Sequence, residues 1–120
     1  MSQAPRRRAY RFGHLAETLC VWSLRLRGYT VLARRFDARV GELDIVARRG
    51  GVLAIIEVKA RRGDDDGDML TTHQCSRIER AAEAYVARHR QLAGLDMRFD
   101  LMVVRPWRSP RHLADYWRPG

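Results

Sequence analysis

Four charged residues in the middle of the chain have the types and spacing that phosphodiester chemistry needs. Asp44 closes the run Gly41-Glu42-Leu43-Asp44, and Glu57-Val58-Lys59 follows a short stretch later. Lys59 stands out on composition, since of 23 basic residues it is the one lysine. Arginine is a planar, permanently charged fork, whereas lysine is a compact ammonium whose pKa its surroundings can move. A chain that otherwise uses arginine has kept an ammonium two residues after a carboxylate. GC-rich coding would produce the same bias, so the lysine gains its meaning from its neighbours.

Those neighbours are set by a hairpin. Glu42 to Arg48 and Val52 to Ala60 flank Gly50-Gly51, a two-residue turn signal. In that register Arg49 faces Val52, Asp44 faces Glu57 and Glu42 faces Lys59. Period-two alternation then places Glu42, Asp44, Glu57 and Lys59 on one face of the sheet. Directly opposed residues have Cβ atoms roughly 4.5–5.5 Å apart. Two carboxylates that close repel unless a cation lies between them, and Mg²⁺ takes one or two carboxylates with water and phosphate oxygens. Lys59, one step along, could orient or deprotonate a water, or offset charge building on a phosphoryl group. The competing reading is a cross-strand network in which Lys59 only balances Glu42 and Glu57. A register slip of one residue would disperse the cluster.

The elements around the hairpin follow from periodicity. Apolar Leu15, Leu19, Cys20, Trp22 and Leu26 give a helix over about Tyr10 to Arg27, with basic residues at its end and Gly28 as its stop. Tyr29 to Phe36 reads as a strand. The run Val52 to Ile56 is apolar on both faces, as in a central strand covered from both sides. Arg61 to Asp68 is a polar loop whose Asp64, Asp65, Asp66 and Asp68 lack the register of a calcium loop. A second helix runs over about Thr72 to Leu92, and Met97 to Val104 is the next strand. Pro106 and Pro110 break the chain, and Arg111 to Trp117 suggests one or two helical turns. The order α-β-β-β-α-β suits a layered α/β architecture. It divides into a basic arm over residues 1–12, a core over 13–105 and a tail over 106–120.

A formal charge of +9 on 120 residues points to a polyanionic partner. No apolar run approaches the roughly 20 residues of a membrane span, and residues 1–11 lack the apolar core of a secretory signal. Nucleic acid is therefore preferred to a membrane. Cys20 and Cys75 are too few for a disulfide framework or a zinc site, which suits reduced thiols in the cytoplasm. Arg34, Arg35 and Arg39 precede the acidic cluster; Arg61 and Arg62 follow Lys59 and are the leading phosphate contacts. Trp107, Tyr116 and Trp117 lie among arginines, where they could stack on bases, although packing onto the sheet is the simpler role. No recognition helix suggests sequence-specific reading.

Gly41-Glu42-Leu43-Asp44, the hairpin and Glu57-Val58-Lys59 together resemble the Asp…Glu-x-Lys core of the PD-(D/E)xK nuclease superfamily. Gly13…Ala16-Glu17, Gly28-Tyr29 and Arg98-Phe99-Asp100, in the same order, narrow the resemblance to the bacterial YraN-type family, which is similar to Holliday-junction resolvases. The resemblance implies a restriction-endonuclease-like α/β fold, a nuclease-like domain over 13–105 and activity on DNA with Mg²⁺ or Mn²⁺. By the superfamily's pattern Asp44, Glu57 and Lys59 are catalytic, and Glu17 joins Asp44 and Glu57 at the metal; a salt-bridged helix glutamate is the alternative for Glu17. Glu42, Gln74 and Asp100 are accessory positions. Relatives often carry a lysine where this chain has Gln74, and Thr71-x-x-Gln74 also fits a capping box, the role we prefer. Asp100 fits a structural ion pair equally well. A homodimer is implied because a four-way junction has two symmetric cleavage points. The rival expectations are an inactive nucleic-acid-binding protein of the same fold and an adaptor for an acidic protein partner.

Overall fold

A computed structural model of the chain describes residues 4–63 and 69–120, with side chains from residue 13 onward. The acidic loop residues Asp64, Asp65, Asp66 and Asp68, and the side chains of the expected basic arm, lie outside the described residues.

Helix α1 (Ala4–Leu26) is followed by strands β1 (Thr30–Ala38), β2 (Gly41–Arg49) and β3 (Val52–Ala60). Helix α2 (Thr72–Arg88), strand β4 (Asp96–Val104) and strand β5 (Arg111–Trp117) complete the order. The helix α1 thus begins well before Tyr10, so most of the expected arm continues it; Pro5 falls in its first turn, where a missing N–H costs nothing. Its end follows the expected stop. Gly28 takes a left-handed φ of 87°, and the N–H groups of Gly28 and Tyr29 donate to Arg25 and Leu24 carbonyls, which closes a Schellman motif.

The five strands form one sheet in the order β1-β2-β3-β4-β5. All neighbours are antiparallel except β3 and β4, which run parallel across the α2 crossover. The apolar run of β3 lies at the centre, as its sequence implied. Ala54 and Ile56 meet Ala16, Cys20, Val21 and Leu24 of α1 on one face. Leu53 and Ile55 meet Ile78, Ala81, Ala82 and Tyr85 of α2 on the other. This mixed sheet between two helices is the restriction-endonuclease-like architecture.

Two expected boundaries are corrected. Helix α2 stops at Arg88 rather than Leu92, because His89 leaves helical geometry and Arg90–Leu92 forms a separate 3₁₀ turn. The tail, expected as a short helix, is the edge strand β5, whose Leu113 and His112 pair with Leu101 and Met102. Pairing covers the edge that β4 would otherwise expose. A register shift and a left-handed Asp115 (φ 55°) interrupt the alternation of β5, which is why periodicity did not mark it as a strand. Among the described residues no helix is long and apolar enough to cross a membrane.

Candidate functional site

The hairpin pairs as its turn requires, from Arg49 opposite Val52 to Ile45 opposite Ile56. There the ladder ends. The Val58 N–H donates instead to Asp44 Oδ2 at 2.8 Å, so a carboxylate takes the place of the next rung. The β1–β2 ladder also skips Asp44, passing from Arg34 opposite Ile45 to Phe36 opposite Leu43. Arg35, the residue skipped on β1, has a left-handed φ of 53°. This jog shifts the alternation of both strands: Ala33 and Phe36, and likewise Leu43 and Val46, pack on the α2 side although each pair is three residues apart.

The jog turns Asp44 toward α1, where it lines a cleft of ≈ 230 Å³ with Gly13, His14, Glu17, Arg35, Val58 and Ala60. Glu57 and Lys59 alternate with Ile56, Val58 and Ala60, which pack toward α1, and so belong to the opposite face. The expectation that all four charged residues share one face is therefore corrected. Asp44 and Glu57 meet through the gap where β2 and β3 part.

Burial sets the electrostatics of that meeting. It pushes the Glu57 carboxyl up to about 8; the adjacent Asp44 charge adds to the rise, and Lys59 opposes it. Lys59 Nζ lies 3.8 Å from Glu57 Oε1. Burial also raises Asp44, against the pull of the Val58 N–H and a side-chain hydrogen bond with Glu57. Burial and the mutual repulsion of the two acids outweigh the nearby Lys59 and favour a proton shared between them. Two hard oxygen donors in that state suit a divalent cation, which would displace the shared proton.

Glu17 lines the same cleft as Asp44, with both of its oxygens paired to arginine. Arg34 Nε donates to its Oε1 and Arg35 Nε to its Oε2, each at 3.1 Å. Among the described residues, no three His, Cys, Asp or Glu side chains converge as a metal-ligand group. Behind the cleft, Cys20 is fully buried, and burial, with the Asp44 and Glu17 charges, pushes its thiol up to about 12.

The accessory residues separate. Glu42 is exposed on β2 and pairs with Asp37 of β1; its charge still raises Glu57. Gln74 closes the capping box: its Oε1 accepts from the Thr71 N–H, and its own N–H donates to Thr71 Oγ1. Asp100 is fully buried and takes two bonds from Arg98, one from His112 Nε2 and one from the Asp115 N–H. It is the hub of a structural network. Arg61 and the exposed Arg62 follow β3 at the carboxyl end of the parallel pair, where the Arg61 N–H also donates to the Val104 carbonyl.

Trp117 packs on Phe99 and donates from Nε1 to Glu79, as expected of a packed tail. Trp107 does not pack and is fully exposed. Sequence reasoning missed His14 in the cleft and His112 beside Asp100. His14 was within reach, since it precedes Glu17 by three residues on one helix face; a lone His112 carried no signal.

Residues 16–104 match the uncharacterised protein family UPF0102. A UPF0102 protein of Parvibaculum lavamentivorans is 53% identical over 92% of this chain and 84% of its own length. One from Paramagnetospirillum magneticum is 46% identical over 98% of both chains, and one from Sinorhizobium medicae is 43% identical over 90% of this chain and 89% of its own. The matched span runs from the start of the α1 core to the end of β4 and holds the whole Glu17, Asp44, Glu57 and Lys59 set. The chain belongs to UPF0102, the YraN-type family whose PD-(D/E)xK-like core its motifs resemble.

Proposed function

We propose that this protein is a metal-dependent endonuclease acting on DNA phosphodiesters, with branched or repair intermediates as substrates, in the cytoplasm. The observation that carries the reading is the half-buried Asp44–Glu57 pair beside the chain's one lysine, in a molecule of charge +9. Asp44 and Glu57 would hold Mg²⁺ or Mn²⁺, and such an ion supplies Lewis-acid polarisation of a phosphoryl oxygen. Lys59 places an ammonium beside that position, where it orients a water and offsets charge developing on the phosphate. Arg61 and Arg62 at the same end of the sheet contact the flanking backbone. The outer face of α1 exposes Leu15, Leu19, Trp22 and Leu26 at helical spacing, an apolar stripe suited to pairing two copies into the homodimer that a two-fold junction favours.

The test is incubation with Mg²⁺ or Mn²⁺ and labelled single-stranded, duplex, flap and four-way-junction DNA, beside Asp44→Asn and Lys59→Ala. Cleavage by the wild type that both variants lower by about a hundredfold or more supports the reading. Cleavage that persists in both variants overturns it. A second reading, a binding protein of the same fold without cleavage, is favoured by the occupation of both Glu17 oxygens and by the capping role of Gln74. Binding without cleavage, unchanged in Lys59→Ala, would establish it.

A further inference from the structure

We propose that Glu17 is the anchor of a two-arginine phosphate clamp, in which Arg34 and Arg35 grip a nucleic-acid phosphate beside the Asp44–Glu57 pair. The inference rests on the proposed function for its nucleic-acid ligand and departs from it in the role of Glu17. Consecutive residues of a strand point to opposite faces, so Arg34 and Arg35 would normally diverge. The left-handed backbone at Arg35 (φ 53°) swings both guanidinium groups onto the α1 side. Left-handed geometry in a residue other than glycine is strained, and such strain gathers at functional sites. Its result here is a matched pair of contacts, one Nε to each oxygen of a single carboxylate, both at 3.1 Å.

The exposure pattern assigns the roles. The Glu17 side chain is 8% exposed, while those of Arg34 and Arg35 are 37% and 40% exposed. The carboxylate is spent inward, and both forks, each a multiple donor, reach the surface. Arg34 uses Nε on Glu17 and Nη2 on Thr18 Oγ1, at 3.0 Å. The triad carries a net single positive charge, and Arg35, Glu17 and Asp44 line the same cleft. A phosphate seated on the two forks would present its neighbour to the acid pair. Pre-ordering the forks lowers the entropy cost of gripping it. Glu17 is thus a positioning residue, with both oxygens committed to arginine.

The clamp makes a prediction opposite in sign to simple charge counting. Removing an acid should by itself tighten DNA binding; if Glu17 orders the forks, Glu17→Gln should weaken it. Binding of a fluorescein-labelled duplex and a four-way junction is measured in EDTA across a salt series, with folding checked by circular dichroism. Arg34→Gln and Arg35→Gln, at half-exposed positions, should each reduce the log K against log salt slope by about 0.9, the value for one lost phosphate contact. Glu17→Gln should weaken binding several-fold, and Mg²⁺ should still raise its melting temperature as in the wild type.

Unchanged slopes in both arginine variants overturn the clamp. Tighter binding by Glu17→Gln, or loss of its Mg²⁺ response, also overturns it and returns Glu17 to the metal. Slopes that fall as expected in a protein that cleaves nothing uphold the clamp and remove the nuclease reading. A wild type that binds neither DNA removes both.

Discussion

Asp100, fully buried, and Glu57, half-buried, are carboxyl groups held in opposite states. Burial alone would raise Asp100, but hydrogen bonds from His112 and Arg98 outweigh it and hold the group below its ordinary value. Its contribution to stability is present above the usual carboxylate range and is lost in acid as pH falls through its lowered value. Asp100→Ala strands a partly buried guanidinium, and urea denaturation should show a loss of about 3–5 kcal/mol. For Glu57 the sign reverses. Its contribution is complete below the ordinary value of 4.5 and is lost as pH rises toward about 8. The metal-free protein should therefore lose thermal stability across that window, and Glu57→Gln should flatten the decline. A melting profile with the same slope in both proteins would refute the assignment. The acid pair was legible from residue types and turn spacing; the arginine jog beside it was not, because neither Gly nor Asn marks the left-handed position at Arg35.

Helix α2 is held to the site by its first turn and by a close approach to β2. Thr71→Ala removes the cap and should cost about 1 kcal/mol, read as a shift in the denaturation midpoint. Gly41 matters for a different reason. A Cβ there would meet the Arg77 carbonyl oxygen at 3.0 Å, so Gly41→Ala must push α2 away from the strand that carries Asp44. A loss of about 1–3 kcal/mol is expected, as for an overpacked contact, and an unchanged midpoint would show that the helix can yield. These elements were readable because each carries a local signature: Thr71-x-x-Gln74 for the cap, Gly50-Gly51 for the hairpin, and an unbroken apolar run for β3. Edge strand β5 has none. Half its side chains face water and its alternation is broken at Asp115, so only its partner β4 identifies it.

At the scale of the molecule, the acid pair, Arg61 and the loop after β4 lie at one end of the sheet, the carboxyl end of the parallel pair. Trp107 stands on that loop, fully exposed and left-handed at φ 64°. Stacking on an unpaired base contributes about 1–3 kcal/mol, so Trp107→Ala should weaken binding to single-stranded and four-way-junction DNA while sparing continuous duplex. Equal losses on all three would assign the tryptophan to folding. The same arrangement gives the protein a built-in clock. Cys20 sits on the sheet-facing side of α1 behind the cleft, and at neutral pH burial leaves its thiol almost wholly protonated. Alkylation of Cys20 must wait for α1 to lift from the sheet, whereas the half-buried Cys75 is already partly accessible. The lag between the two labelling rates counts the opening events of the helix that carries Glu17. A bound ligand that closes the cleft would lengthen it, which offers a readout of occupancy that requires no cleavage at all.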